Sequence, residues 1–198
     1  MNKILLRFRD DQKGSMAIEL VMVVPILVWA LLSTFVYFDL FRTEANANRA
    51  ALTIADMFSR EQDAIDPVYL DGTRELLRSL TFSEDNPGFR VTVYRFDATN
   101  DRYDLVWSRN RGMTPDLTND SLLTLRAEGK LPLLAEGDSA ILVETLTDYS
   151  APFSIGLGPF TGTDLDDVTF DTFTVIRPRF TTQLCWDVSP TDAIPPAC

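Results

Sequence analysis

Three residues near the N-terminus have the types and spacing to do chemistry: Gly14, Ser15 and Glu19. They lie in KGSMAIELVMVVP, residues 13–25, where a glycine closes a basic leader and a carboxylate follows at the mouth of an uncharged apolar run. A charge at that edge costs up to about 3 kcal/mol and calls for a counter-charge. Hydrolysis of the Gly14–Ser15 bond would supply one, a free α-ammonium on Ser15. Residues four apart share one helix face, so this group would stand beside Glu19. It would pair with Glu19 of its own chain or of a neighbouring copy. In a low-dielectric setting such a pair would set the axial register between subunits. The other reading is that Glu19 simply extends to the headgroup zone. Pro25 follows within the apolar run, either as a plain kink or as a feature used in assembly.

Other reactive groups are sparse. The chain has no histidine, which removes the commonest general base and metal ligand and excludes a Ser–His or Cys–His nucleophile. Its two cysteines, Cys185 and Cys198, both lie near the C-terminus. That spacing suits one local disulfide better than a metal site; free thiols or an intermolecular bridge are the alternatives. The acidic run Asp164, Asp166, Asp167 and Asp171 does not have EF-hand spacing and reads as a solvated face. GLGPFTG, residues 156–162, lacks the Lys-Ser/Thr of a phosphate loop and reads as a flexible connection. No catalytic residue, metal or cofactor is expected, and a non-enzymatic protein is the reading.

The residues around Glu19 must be positioned by a membrane element. Leu20 to Phe41 holds one charge, Asp39, near its end. As a helix it spans about 33 Å, one hydrocarbon core. Four basic residues precede it, so the positive-inside rule puts the N-terminus in the cytoplasm and the rest across the membrane, where a disulfide persists. The net charge of −11 falls wholly beyond residue 41, because Lys3, Arg7, Arg9 and Lys13 cancel Asp10, Asp11, Glu19 and Asp39. So acidic a domain is ill suited to nucleic-acid phosphates or anionic headgroups, and no nucleic-acid partner is expected.

Residues 13–55 resemble the TadE/TadG-like family of minor pilins, or pseudopilins, of the tight-adherence (Flp) type IV pilus system. Gly14, Ala17, Glu19, Pro25 and the aliphatic run carry the resemblance, and RTEANANRAALTIADMF (Arg42–Phe58) extends it. Ile141–Phe153 and Phe173–Phe180 resemble, more loosely, strands of the family's outer domain. Processed family members carry Phe or Tyr after the glutamate, where this chain has Leu20. The resemblance implies a prepilin peptidase cut between Gly14 and Ser15, with Glu19 as the fifth mature residue. It also implies as partners the bacterial inner membrane, other pilins or pseudopilins and the pilus-assembly machinery. A single-pass receptor or adhesin with an acidic periplasmic ligand-binding domain is the alternative.

The expected fold is α+β, a single N-terminal transmembrane helix extended into a long pilin-like helix and packed on a small antiparallel sheet. The divisions are a basic cytoplasmic leader, 1–14; a transmembrane helix, 15–41; a helix extension, 42–66; and a periplasmic α+β domain, 67–198. Ile26 to Asp66 has neither glycine nor proline, so one helix is expected through Asp66, with Phe41, Ala45, Ala51, Leu52, Ala55 and Phe58 near its packing stripe. Asp66-Pro67 should then cap a short helix over Val68–Leu80. Strands are expected at Phe89–Asp97, around Tyr103–Trp107, at Asp138–Asp148 and at Val168–Leu184, with a helix at Ser121–Glu128 stopped by Gly129.

Overall fold

A stripe of small and apolar residues organises the fold. On helix α1 (Ser15–Arg60), the buried positions beyond Phe41 include Ala47, Ala50, Ala51, Ile54, Ala55 and Phe58. These recur at helical spacing of three and four, so they line one face. Of these, Ala50, Ile54, Ala55 and Phe58 pack with Phe89, Val91, Val93, Trp107, Ile141 and Val143, the apolar side chains on one face of a sheet. The computed structural model describes residues 15–83, 85–113, 115–156, 167–187 and 198. They divide into two compact units, one containing α1 up to Phe41 with residues 151–156, the other containing Arg42–Ser150 and the described residues from Asp167 onward.

In the second unit, α1 is followed by α2 (Pro67–Thr81), β1 (Gly88–Asp97), β2 (Arg102–Arg111), α3 (Asn119–Ala127), β3 (Ser139–Ser150) and β4 (Asp167–Ile176). The four strands form one antiparallel sheet in the order β2-β1-β3-β4. The α+β expectation therefore holds: a long helix that is apolar in its N-terminal part, packed on a small antiparallel sheet. On the other face, Tyr94, Tyr103, Ala140 and Leu142 pack with Leu122 of α3 and with Leu131 and Leu134. Both central strands are thus covered on two sides, which is why β1 is buried from Gly88 through Tyr94.

Local chemistry explains the element ends. Asp66 caps α2, its carboxylate accepting from the Tyr69 N–H at 2.6 Å, and Pro67 takes the first helical position, where its missing N–H costs nothing. Thr118 and Ser121 form a reciprocal capping box on α3, which therefore starts two residues earlier than expected. Gly129 lies just beyond α3 at φ +70°, a left-handed conformation suited to glycine. The end of α2 breaks that rule, because Phe82 occupies the left-handed region at φ 54° and is exposed.

Three expectations need correction. Helix α1 stops at Arg60, not at Asp66. The chain there turns extended so that Ile65 bridges to Trp186: the Ile65 N–H donates to the Cys185 carbonyl at 2.9 Å, and the Asp187 N–H donates to the Ile65 carbonyl at 2.8 Å. The packing stripe is also rotated. Ala45 and Leu52 are exposed, while Ala47, Ala50 and Ile54 are buried. Finally, β4 ends at Ile176 and does not reach Leu184, because Pro178 has no ladder donor and biases Arg177. Beyond it the Arg179 N–H donates to the Ser59 carbonyl at 2.8 Å.

The buried polar groups of the sheet are paired. Arg90 and Glu144 face each other across β1 and β3, with Nε to Oε2 at 2.7 Å and Nη2 to Oε1 at 2.8 Å. Arg90 Nη1 also donates to the Pro115 carbonyl at 2.5 Å. Breaking one member of such a pair strands the other charge, so Glu144→Leu should cost about 3–5 kcal/mol, and adding Arg90→Met should restore most of it. Urea titration of the detergent-solubilised chain, read by tryptophan fluorescence, checks both. The same titration should show Phe82→Gly to be more stable by about 1 kcal/mol, since glycine has no penalty in the left-handed region.

Candidate membrane-contact site

The N-terminal part of α1 carries the residues singled out from the sequence. Gly14 lies outside the described residues, so the Gly14–Ser15 junction is not described as a whole. Ser15 is the first residue of α1, and Glu19 is exposed one turn later. Pro25 lies within the helix, which continues unbroken through it. Proline supplies no N–H to the Val21 carbonyl, a gap that lipid-embedded helices fill through neighbouring groups. Ser15, Glu19 and Pro25 therefore share one element, whereas Cys185 and Cys198 belong to the other unit.

This helix is long and apolar enough to cross a membrane, and its most apolar 18-residue window has a mean hydropathy of 2.3. Leu20, Val21, Met22, Leu27 and Leu31 are all exposed. Successive residues point around the whole circumference, so the segment is apolar on every side rather than along a stripe. Thr34 returns its hydroxyl to its own helix, donating to the Ala30 carbonyl at 2.8 Å.

Residues 151–156 pack against this part of the helix. The Trp29 indole N–H donates to the Ile155 carbonyl at 3.0 Å, and the Phe35 and Phe153 rings stack with centroids 5.9 Å apart. Val36 is fully buried and Ile155 nearly so. None of Trp29, Phe35, Phe153 and Ile155 was singled out as a contact residue from the sequence. The available signal was the stretch Ala151–Gly156, APFSIG, an uncharged start to the connection that follows β3.

In the other unit, Cys185 and Cys198 form a disulfide. Cys185 stands between two buried residues, Leu184 and Trp186, and the Trp107 indole N–H donates to the Leu184 carbonyl at 2.8 Å. The bond is thus tied to the core and not to a loose end. A shallow cleft of about 140 Å³ lies between α1 and β4, lined by Glu44, Ala47, Asn48 and Thr169–Thr172. Asp171 is in that lining, while Asp164 and Asp166 lie outside the described residues, as does most of the 156–162 glycine stretch. Among the described residues no group of three or more acidic, cysteine or histidine side chains could hold a metal ion.

The resolved shifts in acidity move groups away from neutrality. Burial, then the nearby Glu61, pushes the Tyr69 hydroxyl above the ordinary phenol range. Burial and Tyr103 do the same for Tyr94. The Asn100 side chain holds the Asp97 carboxyl below its usual range, and Glu128 raises Lys130. Each group keeps at pH 7 the protonation state it would have in water, so none of the four is poised for proton transfer there.

No protein-family model, curated protein or solved structure matches the chain. The disulfide encloses 12 residues, and closing such a loop is worth roughly 3 kcal/mol in the chain-entropy model. Replacing both cysteines with serine should lower the unfolding free energy by about that amount, measured by urea denaturation under non-reducing conditions.

Proposed function

We propose that this chain is a pilus-assembly pseudopilin, a minor pilin-like protein that aids assembly of a tight-adherence pilus from the bacterial inner membrane. The carrying observation is α1 itself. One unbroken helix, Ser15–Arg60, is apolar and uncovered in its first part and lines a four-stranded antiparallel sheet with its last part. A helix of this kind serves one protein in two settings, as a membrane anchor and as the spine of a small outer domain. The basic leader favours a cytoplasmic N-terminus, and with that orientation the acidic domain would lie in the periplasm.

In this reading α1 residues 15–41 cross the membrane. A prepilin peptidase would release the Ser15 amino group, and Glu19 would bind that ammonium on its own chain or a neighbour. Pairing of unlike charges in a medium of low dielectric is strongly distance-dependent, so it fixes how far one helix slides along the next. The rest of the exposed apolar surface would contact lipid or the corresponding helices of other pilins. A secretion ATPase, platform proteins and a secretin would be the partners expected of such an element.

The alternative, a single-pass receptor or adhesin, needs a ligand site. The cleft beside β4, at about 140 Å³, is smaller than the roughly 300–1,000 Å³ of small-molecule pockets and does not by itself supply one.

N-terminal sequencing of protein extracted from membranes should begin at Ser15. A Glu19→Leu strain should form fewer pili by about tenfold, the factor that roughly 1.4 kcal/mol commands in an equilibrium. An intact Met1 together with normal pilus numbers in that strain would overturn the processing and register mechanism.

A further inference from the structure

We propose that Ala151–Gly156 is a second membrane-contacting element, a re-entrant segment that enters the outer leaflet alongside α1. This deepens the proposed function and rests on its reading of α1 as a membrane helix.

The contacts give the segment a direction. Phe153 stacks on Phe35, and the Ile155 carbonyl accepts from Trp29. Trp29 lies six residues nearer the helix N-terminus than Phe35, about 9 Å along the axis. Two residues of extended chain cover about 7 Å, and side chains make up the rest. From Phe153 to Ile155 the segment therefore runs down α1 toward its N-terminus, the direction that leads into the bilayer. Trp29 is ten residues from Asp39, about 15 Å, or half of a hydrocarbon core roughly 30 Å thick.

Irregular backbone survives at that depth only if its polar groups find partners within the protein. This segment meets the requirement at its point of closest contact with the helix. At its deepest contact the Ile155 carbonyl and the Trp29 N–H satisfy each other, two groups that would each be costly alone in hydrocarbon. Pro152 has no N–H to satisfy. The Gly156 N–H donates to the Ser154 hydroxyl at 3.4 Å. The side chains it exposes are those of Pro152 and Ser154, neither charged. Phe153 is half-buried against the helix.

The occupant of the exposed surface is phospholipid, recognised by apolar area and not by headgroup charge, because the segment has no basic residue. Insertion should therefore be insensitive to ionic strength.

The chain has two cysteines, both in the disulfide, so an added cysteine is the one free thiol for a nitroxide label. Labels at Ser154→Cys and, separately, at Leu27→Cys on the exposed apolar helix are placed on the full chain in phosphatidylcholine–phosphatidylglycerol vesicles. Collision rates with oxygen, which partitions into lipid, and with a water-soluble nickel chelate report the depth. Both labels should favour oxygen, at low and high salt alike. Adding Trp29→Phe should lower the oxygen-to-nickel ratio several-fold at 154 and leave 27 unchanged. Lipid exposure at 27 with water exposure at 154 overturns the re-entrant segment alone. Water exposure at 27 overturns the membrane reading and this inference together. An unchanged ratio at 154 in the Trp29→Phe chain overturns the pinning by Trp29.

Discussion

The packing of α1 on the sheet is the interaction on which the second unit depends. Ala50 and Ala55 are the small members of the helix surface in this core, and Ile54 and Phe58 supply its bulk. Full burial of a residue the size of Ile or Phe is worth about 1.5–3 kcal/mol. The sheet offers Val91, Val93, Ile141 and Val143 to this surface because strands β1 and β3 are neighbours in register, Val91 opposite Val143 and Val93 opposite Ile141. Without the helix this face would keep only the cover of α2, through Leu70 and Leu77, and of Ile65, Leu184 and Trp186. Without α3 and Leu131 and Leu134, Tyr94 and Leu142 would face water on the other side. Central strands covered twice have little tolerance for slippage, since a one-residue shift exchanges the two faces.

Polar residues inside such strands must then be satisfied from within. Thr92 and Ser108 share a hydrogen bond at 2.8 Å, and Thr145 and Thr172 share one at 2.7 Å. Arg90 and Glu144 do the same with charge. Replacing a buried ion pair by apolar residues is often neutral, so this pair is better understood as fixing register than as adding stability. It lies opposite itself in one alignment of β1 and β3 only. The bulge at Val93/Tyr94 plays a related part on the other side of β1, since it lets Tyr94 oppose Leu105 while Val93 opposes Trp107.

How much was legible in the sequence follows from how local each determinant is. The cap at Asp66-Pro67 and the stop at Gly129 were readable because a few adjacent residues decide them. Strands β1 and β2 were readable from alternation and β-branched or aromatic residues. The disulfide was readable because two cysteines leave one intramolecular pairing. The end of α1 was not: nothing between Arg60 and Asp66 forbids a helix, and the chain leaves it to bridge Ile65 to Trp186, a partner more than a hundred residues away. The phase of the packing stripe failed for a similar reason. Alanine-rich helices have weak patterns, so Ala45 and Ala47 look alike until a sheet selects one. The four contact residues Trp29, Phe35, Phe153 and Ile155 were missed because their pairing joins segments far apart in the chain. A lone tryptophan in an apolar run announces only that it is apolar.

The charge of the chain decides which force can hold it at a bilayer. An excess of eleven negative charges beyond residue 41 is repelled by anionic headgroups, although screening confines that repulsion to about 8 Å at physiological salt. Basic residues, Arg42 among them, are too few in that part of the chain to reverse it. Attraction must then come from apolar area, and the exposed apolar area is concentrated in α1 before Arg42. Each Leu, Val, Met or Phe withdrawn from water there contributes about 1.5–3 kcal/mol, so a few of them outweigh a screened surface repulsion. A helix of this composition, placed in a bilayer, would be indifferent to headgroup chemistry but sensitive to any polar group carried into it. Two features of α1 reflect that sensitivity: Thr34 bonds back to its own helix, and the indole N–H of Trp29 is met by a carbonyl from a segment that has no charge of its own.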